Sequence, residues 1–222
     1  MNIIIACKTI RMELEMAIAD TGCAFPVIWM DPGLHEVPKR LHDALQETMD
    51  KITNVEHVLL YFGFCGNALL GLVPHGFKLV FPKADDCITL LLGSTARRRE
   101  LEPHSYFFTP GWLGNNKSIL TEYDDAVKEF GDASADYIYE FMLCGYQRAL
   151  LVDTHVGDME AVREKTRPFS EKFNLTQEIV EGDTCLFRKM LAGEWDENFV
   201  VIQPEEEVNY VHLFGEEREQ EL

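Results

Sequence analysis

Apolar residues are distributed along the chain in two kinds of segment. Short, nearly uninterrupted apolar runs occur at residues 2–6, 25–30, 58–62, 79–82, 149–154 and 199–202, and two further short strands are predicted at the aromatic segment 105–109 and at 177–180. Such runs are typical of strands that are buried on both faces of a sheet. Between them, apolar residues recur every three or four positions, as at Leu41, Leu45 and Met49, which predicts amphipathic helices. Because strands alternate with helices, we expect an α/β fold, with a mostly parallel, Rossmann-like sheet and helices on both faces.

The sequence predicts a simple domain organisation. The chain has 222 residues, and at roughly 150 residues per domain this length allows one domain or a tight pair. A long helical region from residue 117 to about residue 150 should break near Gly131. No repeat or change in composition marks a boundary. We therefore expect a single α/β domain over residues 1–222, with a frayed acidic tail at 216–222.

Charge and composition exclude several classes of function. The chain carries 20 basic and 38 acidic residues, and its formal net charge is -18. It therefore lacks the basic surface that binds nucleic acid non-specifically or docks on anionic membranes. The most apolar window, residues 59–73, is broken by glycines and is shorter than the ~20 residues of a membrane span. The six cysteines are too scattered for a secreted disulfide framework. We expect a cytoplasmic protein without nucleic-acid or membrane partners.

Three cysteines are the main candidate site residues. Cys7, Cys65 and Cys87 each follow a predicted strand. Because the carboxyl ends of parallel strands meet at one edge of a sheet, neighbouring strands would bring the three thiols face to face. Three thiolates can hold zinc with a fourth position open, or three irons of a 4Fe-4S cluster with one iron open. The alternative is core packing, because free cysteine is among the most buried residue types.

Three further residues are candidates for binding a cofactor or ligand at the same edge. Asp86 precedes an apolar helix, so it is either an N-cap or a ligand-binding carboxylate. Gly66 follows Cys65 and permits a close approach of the backbone. Trp112 follows a strand end and is the best aromatic candidate for a pocket wall. Cys144 lies in a helical context and is expected in the core.

Several common motifs are absent from the sequence. There is no Gly-x-x-x-x-Gly-Lys-Ser/Thr segment and no Gly-x-Gly-x-x-Gly after the first strand. There is also no Gly-x-Ser-x-Gly elbow. A P-loop, a standard dinucleotide fingerprint and an α/β-hydrolase nucleophile are therefore not predicted.

The chain resembles the uncharacterised family known as domain of unknown function 1638, which occurs in archaea and anaerobic bacteria. The features that carry this resemblance are Ala6-Cys7, Tyr61, Cys65-Gly66, Phe81-Pro82, Asp86-Cys87-Ile88, Leu92-Gly93-Ser94, Thr109, Gly111-Trp112, Tyr146, Asp153-Thr154, Gly182-Asp183 and Leu191-Ala192-Gly193-Glu194-Trp195. Members often accompany corrinoid-dependent methyltransferase systems. The resemblance therefore implies an accessory role in one-carbon transfer, beside a corrinoid protein or a methyltransferase.

Three hypotheses follow from these observations. In the first, the three cysteines bind zinc or a 4Fe-4S cluster at the carboxyl edge of the sheet. In the second, the protein is a metal-free module that binds a small molecule or a corrinoid. In the third, it is an interaction partner of a methyltransferase, with the cysteines in the core. The sequence specifies no reaction, and it permits a homodimer without requiring one.

Overall fold

The computed structural model describes residues 1–215, so the acidic tail predicted at 216–222 lies outside the described residues. Within them the chain forms eight strands and ten α-helices. The strands are β1 (Asn2–Cys7), β2 (Val27–Met30), β3 (His57–Tyr61), β4 (Lys78–Pro82), β5 (Ser105–Phe108), β6 (Arg148–Asp153), β7 (Thr176–Glu181) and β8 (Phe199–Ile202). The helices are α1 (Arg11–Thr21), α2 (Pro38–Met49), α3 (Cys87–Leu92), α4 (Thr95–Leu101), α5 (Pro110–Leu113), α6 (Ile119–Phe130), α7 (Asp132–Met142), α8 (Met159–Lys172), α9 (Cys185–Ala192) and α10 (Tyr210–Phe214).

The strands form two sheets. The first has the order β2-β1-β3-β4-β8, and the second has the order β5-β6-β7. All pairs are parallel except β4 with β8, where Leu79 pairs with Ile202. The α/β, mostly parallel, Rossmann-like class predicted from the sequence is therefore confirmed, although the strands divide between two sheets. β8 occupies the edge of β4, and β5 pairs with β6 in the second sheet.

The order of the first sheet creates a preferred place for a ligand. From β1 the chain passes to β2 on one side, and it then returns to β3 and β4 on the other side. The strand order therefore reverses between β1 and β3. In open α/β sheets, ligands bind in the crevice outside the carboxyl ends of the strands at such a switch point.

The larger of two hydrophobic clusters joins the two sheets. Its centre is formed by β1, β3 and β4, whose apolar side chains are almost fully buried, as their uninterrupted runs predict. Phe107, Leu150 and Val152 of the second sheet belong to the same cluster. A hydrogen bond between α1 and the end of β6 also connects them, since the Thr154 hydroxyl donates to Glu13 Oε1 over 2.9 Å.

Helix ends agree with the sequence in most places. The predicted break at Gly131, with φ of 82°, separates α6 from α7. Gly93 adopts the left-handed conformation and ends α3 after six residues, so that α4 starts as a separate helix. Across residues 1–215 no helix combines the length and the apolar character that are needed to cross a membrane.

Candidate functional site

A cavity of about 530 Å³ lies at the carboxyl edge of the first sheet, beside the switch point between β1 and β3. All the candidate residues from the sequence line this cavity, and they are Cys7, Cys65, Cys87, Asp86, Gly66 and Trp112. One side of the cavity is formed by the turns after β1, β3 and β4. The other side is formed by β5, by α5 and by the segment before β6.

The turn after β1 fixes Cys7, which is the last residue of that strand. The Thr9 hydroxyl donates a hydrogen bond to Cys7 Sγ over 3.1 Å. Gly111 of α5 packs directly on this turn, since a β-carbon on it would lie 1.9 Å from the carbonyl oxygen of Thr9. Only glycine permits this contact, which brings the neighbouring Trp112 to the cavity.

Backbone hydrogen bonds join the turn of Cys65 to the turn of Cys87. The amide of Phe64 donates to the Ala84 carbonyl over 2.8 Å, and the amide of Cys65 donates to the Asp85 carbonyl over 3.0 Å. Cys65 has a φ of 45° and the next residue, Gly66, has a φ of 67°. A non-glycine residue in this left-handed backbone conformation destabilises the folded state by on the order of 1 kcal/mol. Such residues are common at functional sites.

Asp86 is the N-cap of α3, which is one of the two roles that the sequence allowed. Its Oδ1 accepts hydrogen bonds from the amide and the hydroxyl of Thr89, over 2.7 Å and 2.9 Å. Its Oδ2 lies 3.3 Å from Arg98 Nη2. The Arg98 guanidinium stacks 4.4 Å from the ring centre of Phe107 in β5. Asp86 therefore caps the helix that begins at Cys87 and also links it to the second sheet.

Burial keeps the three thiols neutral in the metal-free protein. It raises the pKa of Cys7, raises the pKa of Cys65 to about 12, and raises the pKa of Cys87 well above its usual range. The negative charge of Asp86 adds to the increase at Cys65 and Cys87. Cys87 begins a helix, a position that favours a thiolate, but desolvation outweighs this effect. A bound metal cation would therefore have to displace the thiol protons.

Four aromatic side chains line the cavity, and we call them the aromatic wall: His35, Trp112, Tyr106 and Tyr146. The rings of His35 and Trp112 are 5.1 Å apart, and those of Tyr106 and Tyr146 are 5.9 Å apart, both in edge-to-face geometry. Burial raises the pKa of Tyr106, and the Trp112 side chain partly opposes this increase.

Among the polar residues that line the cavity, the sequence did not single out Thr9, Asp31, His35, Glu36 and Ser105. Asp31 and His35 follow β2, whose carboxyl end lies at the same edge as those of the cysteine strands. The sequence did contain a signal for Asp31, because this residue comes directly after an apolar run. However, Asp31-Pro32-Gly33 is also a strong turn sequence, which indicates a turn residue and not a site residue.

The other three cysteines do not line the cavity. Cys23 and Cys185 are partly buried elsewhere. The prediction that Cys144 lies in the core is wrong, because this residue is exposed. Helix α7 ends at Met142, and Cys144 therefore lies in the following turn and not on the buried face of a helix.

The three cysteine sulfur atoms of the cavity are suitable ligands for a soft metal, but they do not surround a common centre. Three sulfur atoms are appropriate for zinc or iron-sulfur clusters. In the part of the chain that the structure describes, no group of three or more His, Cys, Asp or Glu side chains is placed so that it could hold a metal ion. Metal binding would therefore require the donor atoms to move closer together and the thiols to lose their protons.

Comparison with known proteins identifies the chain at the level of a family. No curated protein and no solved structure matches the sequence. The family described as "Protein of unknown function (DUF1638)" matches residues 29–191, which is more than half of the chain and includes Cys65, Cys87, Asp86 and Trp112. The chain therefore belongs to the DUF1638 family.

Proposed function

We propose that this protein binds a metal ion or a 4Fe-4S cluster through Cys7, Cys65 and Cys87, and that one coordination position remains open to the cavity. A single observation supports the proposal. The three thiols lie at the carboxyl ends of three neighbouring parallel strands, beside the switch point of the sheet, and line the same cavity.

The surroundings of the thiols are consistent with this role. Thr9 donates a hydrogen bond to Cys7 Sγ, and its side chain also lowers the pKa of Cys87. Such hydrogen bonds orient metal ligands and tune the metal. Neither lysine nor arginine lines the cavity within residues 1–215, so no fixed positive charge opposes a metal cation there. When bound, the metal would supply a Lewis-acidic or redox-active centre with room for one exogenous ligand.

The size of the cavity, about 530 Å³, supports a small ligand in the role that we propose beside methyl transfer. Cavities of several hundred cubic ångströms bury drug-sized molecules, and a corrinoid is larger than these. We therefore place the protein beside corrinoid-dependent methyl transfer as an accessory that holds a small ligand, while the corrinoid stays on a partner protein. The six unpaired cysteines suit the reducing cytoplasm that we propose as its location.

A metal-free binding module is the second candidate function. The observation that favours it is the absence of an assembled metal-binding group within residues 1–215, together with the burial that keeps the thiols neutral. In this case the thiols would contact a small ligand directly, as neutral and polarisable groups.

Titration of the reduced, metal-free protein with cobalt(II) separates the two candidates. Cobalt bound by thiolates gives charge-transfer absorption that cobalt in water lacks. We expect this absorption to saturate at about one equivalent and to be lost in Cys7→Ser and Cys65→Ser. Cys144→Ser is the matched control and should bind cobalt as the wild type does. Absence of thiolate absorption in the wild type would favour the metal-free module.

A further inference from the structure

Helix α7 carries apolar side chains on two faces. On one face, Tyr139 and Leu143 are buried in the smaller of the two hydrophobic clusters. A second set recurs at intervals of three and four residues and lies between 39% and 75% exposed; we call it the α7 face, and it consists of Tyr137, Ile138, Phe141 and Met142. Large exposed apolar patches mark surfaces that bind other molecules. The α7 face is therefore a candidate interface.

The α7 face contains no charged residue. The acidic residues of the helix are Asp132, Asp136 and Glu140, which recur every four positions and fall outside the α7 face. Asp136 is also paired with Lys172 over 2.7 Å. The α7 face thus offers no anchor for a basic partner, and it fits an apolar surface of similar size.

The area of the α7 face agrees with what a dimer of this chain needs. A large apolar side chain such as an aromatic one buries roughly 150–250 Å². At their exposed fractions, the four side chains together present on the order of 500 Å². Two copies packed face to face would bury about 1,000 Å² from these side chains alone, which is the size at which specific interfaces begin.

The sizes of the side chains along α7 are self-complementary in an antiparallel pair. The large Phe141 and Met142 lie near the end of the helix, and the small, exposed Ala133 and Ser134 lie near its start. A two-fold axis through the middle of the α7 face sets the large end of one helix against the small end of the other. An interface between identical subunits requires this kind of self-complementarity.

We propose that two copies of this chain form a dimer by packing their α7 faces antiparallel across a two-fold axis. Each copy has a formal net charge of -18, which opposes association, so the apolar contact must provide the attraction. The dimer is independent of the metal site that we propose above, because none of the thiols that line the cavity belongs to α7.

The dimer also reaches the cavity. Tyr146 of the aromatic wall follows the end of α7 and is partly exposed. Phe130 precedes the start of α7 and is exposed as well. Because antiparallel packing places the start of one helix beside the end of the other, it brings Phe130 of the partner subunit towards Tyr146, at the rim of the cavity.

Sedimentation analysis of the full chain over a range of concentrations tests the dimer. We expect twice the mass of the chain, and a dissociation constant that falls roughly threefold or more when NaCl screens the repulsion between the copies. Phe141→Glu should give a monomer and leave the cobalt titration unchanged. Ile179→Glu is the matched control, since Ile179 of β7 is a large exposed apolar residue outside the α7 face, and this variant should remain a dimer.

A cross-link tests the antiparallel arrangement. In a Cys144→Ser background, Ile138→Cys lies next to the two-fold axis and should form a disulfide-linked dimer on mild oxidation. Ser134→Cys in the same background is the control, because the two introduced thiols would be separated by on the order of 10 Å along the helices, which is too far for a disulfide.

The outcomes separate this inference from the proposed function. A monomeric wild type, a dimer that survives Phe141→Glu, a dimer lost in Ile179→Glu, or a cross-link through Ser134→Cys in place of Ile138→Cys would overturn the inference, even if cobalt binds to the thiols. A dimer that is lost in Phe141→Glu and linked through Ile138→Cys would support it, even if cobalt does not bind. If circular dichroism shows that Phe141→Glu fails to fold, the cross-link carries the test.

Discussion

Gly63 lies directly against the backbone of Asp86, so that a β-carbon on Gly63 would stand 2.5 Å from the Asp86 Cα atom. The turn after β3 and the turn after β4 therefore touch through their main chains. Together with the two backbone hydrogen bonds between these turns, this contact sets the positions of Cys65 and Cys87. The distance between Cys65 and Cys87 is therefore set by the packing of the backbone in the two turns, more than by the cysteine side chains.

Substitution of Gly63 by alanine should separate the two turns. The added methyl group meets backbone atoms, which cannot move aside as a flexible side chain can. We expect a loss of roughly 1–3 kcal/mol in the free energy of unfolding, together with a loss of cobalt binding at the three thiols. Urea denaturation and the cobalt titration measure the two effects. Gly145→Ala is the control, because no atom lies within 4 Å of its added β-carbon.

Two substitutions at Asp86 separate its capping role from its charge. Asp86→Ala removes the acceptor for the Thr89 amide, and we expect a cost of about 1 kcal/mol. Asp86→Asn keeps the capping oxygen and loses the charge that faces Arg98. If the ion pair with the largely buried Arg98 contributes to stability, Asp86→Asn should also unfold more easily than the wild type. Equal stability of all three proteins in urea would contradict both roles.

Tyr61 connects β3 to α9 through a buried hydrogen bond, because its hydroxyl donates to the Phe187 carbonyl over 2.9 Å. Tyr61→Phe removes this bond without removing the ring. We expect a decrease of about 1 kcal/mol in the free energy of unfolding. Tyr137→Phe is the matched control, since Tyr137 is 73% exposed, and it should change the urea midpoint very little.

Glu13 should make stability depend on pH. Burial raises the pKa of its carboxyl group above the ordinary value of 4.5, and Oε2 has no hydrogen-bond partner in the described structure. The stability that such a group contributes is present below the pKa of the unfolded chain and is lost as the pH rises through the folded pKa. Glu13→Gln should therefore raise the Tm near pH 7.

The advantage of Glu13→Gln should shrink as the pH falls from 7 through the raised pKa of the folded protein, and it should be smallest below about pH 4.5, where the wild-type carboxyl group is protonated in both states. Thermal unfolding between pH 4 and pH 8 measures this difference. Glu164→Gln, an exposed substitution in α8, serves as the control and should not show the same trend. A Tm increase that is equal at every pH would rule out the titration of Glu13 as its cause.

The sequence was sufficient to locate the cysteine strands, because uninterrupted apolar runs fix where buried strands end. Cys7, Cys65 and Cys87 follow such ends, and they line one cavity in the structure. The division into two sheets could not be predicted, since it depends on the pairing of β4 with β8, more than 100 residues later. Asp31 and His35 could not be predicted for a similar reason. They follow β2, and this strand lies beside the site because it pairs with β1, which the sequence does not show.

The metal content of protein purified without oxygen is the most direct test of the central claim, that three thiols act as one metal site. Zinc, iron and sulfide are measured together with the absorption spectrum, for the wild type, Cys87→Ser and Cys144→Ser. We predict either about one equivalent of zinc or a brown protein that contains iron and sulfide. The metal should be lost in Cys87→Ser and retained in Cys144→Ser. A wild type without metal, or equal metal content in all three proteins, would contradict the claim.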